Sequence, residues 1–267
     1  MITFLILILL LIGAMVFLVC PQRPSDRQRE PFRHRYIAHR GLHTSDGIVP
    51  ENSISAFRRA FSAGYGAEFD LQLSSDGTVM VFHDDDLYRM CGVHGKIEET
   101  PFEELRRMRL ANTDEIIPTF DEVLKVCGGS QPLIIELKKS TRNAELCRKT
   151  YERLKSYSGE YCIESFDPRI VSWFRKNAPE IYRGQLITSA EDYKGFKKPL
   201  ALILSNGMLN FLGRPNFIAH NITKKRLGVR IAEALGAVRI CWVARDPSES
   251  EGNETSIFEF FEPDPKY

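Results

Sequence analysis

The chain has 267 residues, of which 43% are hydrophobic and 27% charged, a composition that excludes a disordered or collagen-like protein. Its 36 Lys and Arg nearly balance its 35 Asp and Glu, but five of the Arg crowd into positions 23, 27, 29, 33 and 35, so the rest of the chain is mildly acidic. That argues against nucleic acid as a partner, because binding a phosphate backbone needs clustered cations. Six cysteines, at 20, 91, 127, 147, 162 and 241, show no CxxC spacing. They read as reduced, mostly buried thiols rather than zinc ligands or a disulfide framework.

The first predicted element is residues 2–19, an apolar run diluted only by Thr3 and Gly13. At ~1.5 Å rise per residue it reaches roughly 27 Å, close to the hydrocarbon thickness of a bilayer. Met1-Ile2-Thr3 lacks the basic start of a secretory signal, and Val19 before Cys20 is a poor lipoprotein cleavage site. The expectation is an uncleaved transmembrane anchor over 1–20, with 21–35 as a basic juxtamembrane linker. The positive-inside tendency then makes this a single-pass membrane protein with its 36–267 domain on the cytoplasmic side, where the linker Arg can also touch anionic headgroups. Asn221-Ile-Thr and Asn253-Glu-Thr are the only features favouring the opposite topology.

Beyond residue 35, extended apolar segments alternate with helical ones. Strands are expected at 36–38, 67–73, 78–82, 133–137, 161–166, 183–187, 216–219, 240–244 and 256–260, and helices at 53–63, 102–110, 119–127, 143–157, 168–177 and 224–235. Asn52 or Ser53 can cap the first helix, and Asp167-Pro168 opens the fifth with an N-cap and an N1 proline. This alternation predicts an α/β fold, a TIM-like (β/α)8 barrel, with a doubly wound sheet as its rival. The barrel should be irregular. Nine strands compete for eight places, and Ser74-Ser75-Asp76-Gly77 is too short for a parallel crossover.

Polar groups gather at the strand ends. His39-Arg40 follows the first strand; Glu68 and Asp70 flank Phe69 in the second and share a face by period-two alternation; His83-Asp84 closes the third; Glu136 and Lys138 close the fourth. Charges set in apolar strands are costly unless paired or bound to a metal. Three carboxylates suit one hard divalent cation, Mg²⁺ or Ca²⁺. Two histidines suit proton transfer, Arg40 offers a fork for a phosphate oxygen and Lys138 a point charge. Together they describe cleavage of a phosphoryl ester.

At these residues the sequence resembles the glycerophosphodiester phosphodiesterase family. The match runs through His39-Arg40-Gly41, Pro50-Glu51-Asn52-Ser53, Glu68-Phe69-Asp70-Leu71, Ser75-Asp76-Gly77, His83-Asp84 and Ile135-Glu136-Leu137-Lys138, then thins to Ser165-Phe166 and Trp242-Val243. The resemblance implies a barrel that hydrolyses glycerophosphodiesters to glycerol 3-phosphate and an alcohol. It implies Glu68, Asp70 and Glu136 as metal ligands, His39 and His83 as the acid–base pair, Arg40 and Lys138 on the phosphate, and a small insertion at about 85–118.

The chain departs from the family pattern in a longer loop at 42–49, in Trp242-Val243-Ala244-Arg245, and over 258–263. Trp242 at a strand end is a candidate to cover the glycerol, with core packing as the alternative. Glu51 is expected to orient Arg40, to flank the metal or only to favour a helix dipole, His43, His94 and His220 to lie in loops or at the surface, and Phe211 and Leu212 to be buried or to meet lipid. Three alternatives stay open: a lysophospholipase D acting on lysophospholipids near the membrane, a module that binds phosphodiester headgroups without turnover, and a scaffold. The sequence leaves the oligomeric state open.

Overall fold

The computed structural model describes residues 1–267 and contains nine strands. They are β1 (Arg35–Ala38), β2 (Gly66–Leu73), β3 (Val79–Val81), β4 (Leu133–Leu137), β5 (Tyr161–Ser165), β6 (Arg183–Ile187), β7 (Phe217–Asn221), β8 (Val238–Ala244) and β9 (Thr255–Phe258). Eight are parallel and close into a barrel, because β1 pairs with both β2 and β9. The ninth, β3, folds back antiparallel on β2, with Leu71 opposite Val81. The tight turn at 74–77 forces that reversal, which removes one strand from the expected nine and leaves a TIM-like barrel of eight.

Alternation decides what each strand shows to either side. In β2, Phe69, Leu71 and Leu73 point outward into a large core with residues such as Phe120, Ile135 and Phe174. Ile37, Ile134, Cys162, Phe217 and Ile240 point inward and fill the barrel with Phe32 and Tyr182. Gly184 makes room for this filling: a Cβ there would fall 1.9 Å from the Phe217 ring.

Helices cover the outside: α1 (Ile2–Val19), α2 (Asp26–Arg29), α3 (Ile54–Ser62), α4 (Tyr88–Cys91), α5 (Phe102–Leu105), α6 (Phe120–Cys127), α7 (Asn143–Leu154), α8 (Pro168–Asn177), α9 (Lys198–Ser205), α10 (Asn210–Gly213) and α11 (Leu227–Ala234). Their starts follow from local chemistry. Ser53 accepts from the Ala56 N–H, Thr119 and Glu122 form a reciprocal capping box, and Asp167 caps α8 ahead of Pro168. The expected helix at 102–110 stops after Leu105, and α9 and α10 occupy a stretch where no helix was expected. Between β3 and α6, Phe82, Leu87, Ile97, Leu105, Leu110 and Ile117 make a separate small core.

α1 is long and apolar enough to cross a membrane, with mean hydropathy 3.2, and most of it is exposed. Only its last turns dock. Val19 is buried among Ile218, Val229 and Ala232. Arg214 donates to the Phe17 carbonyl (2.7 Å) and the Cys20 carbonyl (2.9 Å), so a cation closes the negative end of the helix. Residues 21–34 then lie against the barrel rather than hanging free. Asn216 Nδ2 donates to the Gln22 carbonyl (2.9 Å), Arg29 forms a two-point ion pair with Glu254, and Phe32 is buried against Tyr182. All six cysteines are unpaired.

Candidate active site

The carboxylates come together through sheet register. Asp70 on β2 stands opposite Glu136 on β4, and Glu68 lies two residues before Asp70 on the same inward face. All three are buried, and their carboxylate oxygens lie within 4.8 Å of one another. Lys138 Nζ sits 3.0 Å from Glu136 Oε1 and 3.4 Å from Asp70 Oδ1, and Arg40 Nε is 3.5 Å from Asp70 Oδ2. Asn52 donates to Asp70 at 2.9 Å. Arg40 and Asn52 both hold positive φ, 52° and 54°. That backbone is uncommon for residues with side chains, and here it turns the Arg40 N–H toward Glu68 at 3.1 Å.

Two cations do not balance this cluster. Burial, and after it the charges of Asp70 and Glu136, push Glu68 well above the ordinary carboxylate range. Burial raises Glu136 also, against the pull of Lys138. Burial works the same way on Asp70, but His83, Lys138, Arg40 and the Asn52 hydrogen bond outweigh it and hold that carboxyl low. Three hard oxygen donors that cannot all ionise comfortably alone fit a divalent cation, whose charge would relieve their repulsion.

The histidines flank the cluster. His39 Nε2 lies 3.9 Å from Glu68 Oε2, while its Nδ1 is 3.0 Å from Glu259 Oε1. Burial pushes His39 down to about 4 against the pull of Glu259, so it is neutral at physiological pH. His83 Nδ1 is 2.6 Å from Asp84, which Arg89 clamps together with Glu51. Glu51 also pairs with Arg40 at 2.8 Å, so it orients that guanidinium.

A family model for glycerophosphoryl diester phosphodiesterases matches residues 39–257. The chain belongs to this family of enzymes. It is 32% identical over 161 residues to a glycerophosphodiester phosphodiesterase of Caldanaerobacter subterraneus subsp. tengcongensis, a match covering 56% of this chain and 65% of that one. It is 29% identical over 164 residues to a lysophospholipase D of Rattus norvegicus, covering 57% and 50%. The chain therefore spans between half and two thirds of these relatives' lengths. Its fold matches that of an Oleispira antarctica phosphodiesterase in complex with the product sn-glycerol-3-phosphate, with a TM-score of 0.69 at 23% identity, covering 85% of this chain and 93% of that one.

Seven of the candidate site residues gather at one spot: His39, Arg40, Glu68, Asp70, His83, Glu136 and Lys138. Trp242 lies further round the rim. It is half-buried, its Nε1–H donates to the Ala219 carbonyl at 3.1 Å, and its ring meets Phe166 edge-on at 5.5 Å.

Sequence reasoning missed three members of the site. Glu259, just beyond β9, holds His39, His43 and Arg245 at once. His43 is therefore part of the site and not a free loop residue: its Nε2 is 3.2 Å from Glu259. Glu164 on β5 stands opposite Glu136 and completes a row of buried carboxyls. Burial, then Glu136 and Asp70, push it well above its ordinary value. Its signal was in the sequence, since it is a lone charge in an apolar strand. His220 is buried on β7 beside the Asn221 carbonyl and not at the surface, because period two turns it to the helix side with Ile218. His94 is exposed and stacks on Tyr88.

Proposed function

We propose that the chain hydrolyses glycerophosphodiesters to glycerol 3-phosphate and an alcohol, using one divalent cation, Mg²⁺ or Ca²⁺. The observation that carries this reading is the trio Glu68, Asp70 and Glu136 within 4.8 Å, with an imidazole on either flank. Those three residues would hold the cation, which when bound polarises a phosphoryl oxygen and neutralises charge developing there.

The chain's own groups do the rest. Glu259 accepts from His39 Nδ1–H, which fixes the tautomer and leaves Nε2 unprotonated on the carboxylate side. His39 then takes the proton from the attacking hydroxyl, of the substrate's glycerol or of water. His83 gives a proton to the departing alkoxide, and Asp84 steadies its imidazolium form. Arg40, fixed by Glu51, and Lys138 bind the non-bridging phosphate oxygens as charge builds on them. Burial supports His39 as the base, because it disfavours the charged imidazolium there.

The test is release of glycerol 3-phosphate from glycerophosphocholine by the full chain and by its His39→Ala and His83→Ala variants. Each variant is expected to lose about 10²–10⁴-fold in kcat. Turnover close to that of the parent in either variant removes that histidine from the mechanism.

We further propose that α1 anchors the enzyme in a membrane, with the barrel on the cytoplasmic side. The length and hydropathy of α1 and the five Arg that follow it support this. Labelling of a cysteine introduced at Ser25 by a membrane-impermeant reagent on intact cells would contradict the orientation.

A further inference from the structure

Beside the carboxylate trio stands a second cluster of different chemistry. His39, His43 and Glu259 each offer one ligand atom, and these atoms lie within 4.8 Å of one another. The backbone brings them together. β1 and β9 are parallel neighbours with Ala38 opposite Phe258, so the residues just beyond, His39 and Glu259, emerge side by side. Gly41 has φ of 78° and packs on Ala56 so closely that a Cβ would fall 2.9 Å from its backbone. The sharp turn this permits returns His43 to the same spot. His43, Arg245 and Glu259 lie one in each of the three stretches where the chain departs from the family pattern.

Spacing and donor type both fit a metal. A single oxygen, Glu259 Oε1, faces His39 Nδ1 at 3.0 Å and His43 Nε2 at 3.2 Å. A tetrahedral ion with bonds of about 2.0–2.1 Å, the zinc distances, sets its ligand atoms ~3.3 Å apart. Arg245 holds the other oxygen, Oε2, at 3.0 Å, which aims Oε1 at the imidazoles. Two nitrogens and one oxygen suit a borderline ion such as Zn²⁺, whereas the all-oxygen trio suits Mg²⁺ or Ca²⁺. Burial keeps His39 neutral, the form of imidazole that binds a metal. Both rings keep some contact with solvent, which gives an ion a way in.

We propose that His39, His43 and Glu259 form a zinc site, distinct from the trio, whose occupation switches hydrolysis off. Without zinc, both rings donate an N–H to Glu259. When Zn²⁺ takes His39 Nδ1 and His43 Nε2, each neutral ring keeps its one proton on its other nitrogen, so no proton is gained or lost. For His39 that nitrogen is Nε2, the atom that has to accept a proton from the attacking hydroxyl. The base is blocked while the trio and the phosphate contacts stay as they are. This consequence rests on the hydrolytic reading above; the site itself does not.

The experiment measures Zn²⁺ affinity of the full chain in detergent by competition with a chromophoric chelator, with Mg²⁺ in excess. The parent is compared with His43→Ala, His43→Gln and, as a control, the exposed His94→Ala, with thermal unfolding to show that each variant folds. Both His43 variants are expected to bind Zn²⁺ at least about 10- to 100-fold more weakly, and His94→Ala like the parent. Because all six thiols are free, the Co²⁺-loaded parent is also read by absorption. It should show the visible bands of a four-coordinate ion and no sulfur-to-metal charge-transfer band. Zinc should lower the parent's kcat for glycerophosphocholine about 10²–10⁴-fold, and excess Mg²⁺ should not restore it. Equal affinity in the parent and both His43 variants, a sulfur band, or inhibition relieved by Mg²⁺ overturns the proposal. Zinc bound through His43 with kcat unchanged removes the switch. No turnover by the parent even without zinc removes the hydrolytic reading and the switch together, while binding that needs His43 still establishes the site.

Discussion

Glu259 and Glu164 show two different uses of a buried carboxyl. Glu259 stays ionised because His39, His43 and Arg245 all direct N–H groups at it, and its position fixes which nitrogen of His39 is free. Glu259→Ala is expected to lower kcat about 10- to 100-fold, with Glu259→Gln recovering part of the loss, because an amide oxygen can still accept from Nδ1–H. A purely structural role would move stability without that graded recovery in kcat. Burial raises the Glu164 carboxyl and so favours its uncharged form, so Glu164→Gln, close to it in shape and without charge, is expected to keep activity within a few-fold and to leave the melting temperature nearly unchanged. Glu68 gives the opposite result. With chelator present, Glu68→Gln is expected to melt higher than the parent, since it removes a crowded carboxyl. Added Mg²⁺ or Ca²⁺ should raise only the parent, by about 2.7 kcal/mol at one hundred times Kd, read by thermal unfolding. The trio Glu68, Asp70 and Glu136 was legible because alternation and cost of burial both point to it. Glu259 was not, because it stands alone after its strand and only barrel closure brings it to His39.

At the level of elements, the sequence revealed most where a local signal exists. Asp167 and Pro168 announced α8, and the structure adds that Asp167 also accepts from Arg169 and Asn143 side chains. Burial works to raise its carboxyl, but those bonds outweigh it and hold it below the ordinary range. Asp167→Ala is therefore expected to cost about 1 kcal/mol near neutral pH. The sign with pH follows from the depressed value: the contribution is whole above the ordinary carboxylate pKa and fades as pH falls through the folded one. The gap in melting temperature between parent and variant should narrow between about pH 5 and pH 3, and a constant gap would deny Asp167 its charge-based role. α9 escaped sequence reading because 200–204 is a solid apolar run with no polar face to give a period, although Pro199 marks its start. Likewise, the packing of residues 21–34 rests on bonds to partners far along the chain, such as Gln22 to Asn216 and Arg29 to Glu254, which no local pattern encodes.

Across the whole molecule, strand order and closure put the chemistry on one rim and the docked end of α1 against α10 and α11 on the side of the barrel. The irregularity expected at 74–77 proved to be a hairpin appended to the barrel, not a break in it. The central claim is that the carboxylate trio serves phosphodiester hydrolysis through a bound divalent cation. Its most direct test is product analysis of glycerophosphocholine incubated with the full chain, with and without chelator and after readdition of Mg²⁺ or Ca²⁺. Glycerol 3-phosphate should form, vanish on chelation, return with the cation, and stay absent from the Glu68→Ala and Glu136→Ala variants. Turnover that survives chelation, or persists in those variants, would contradict the account.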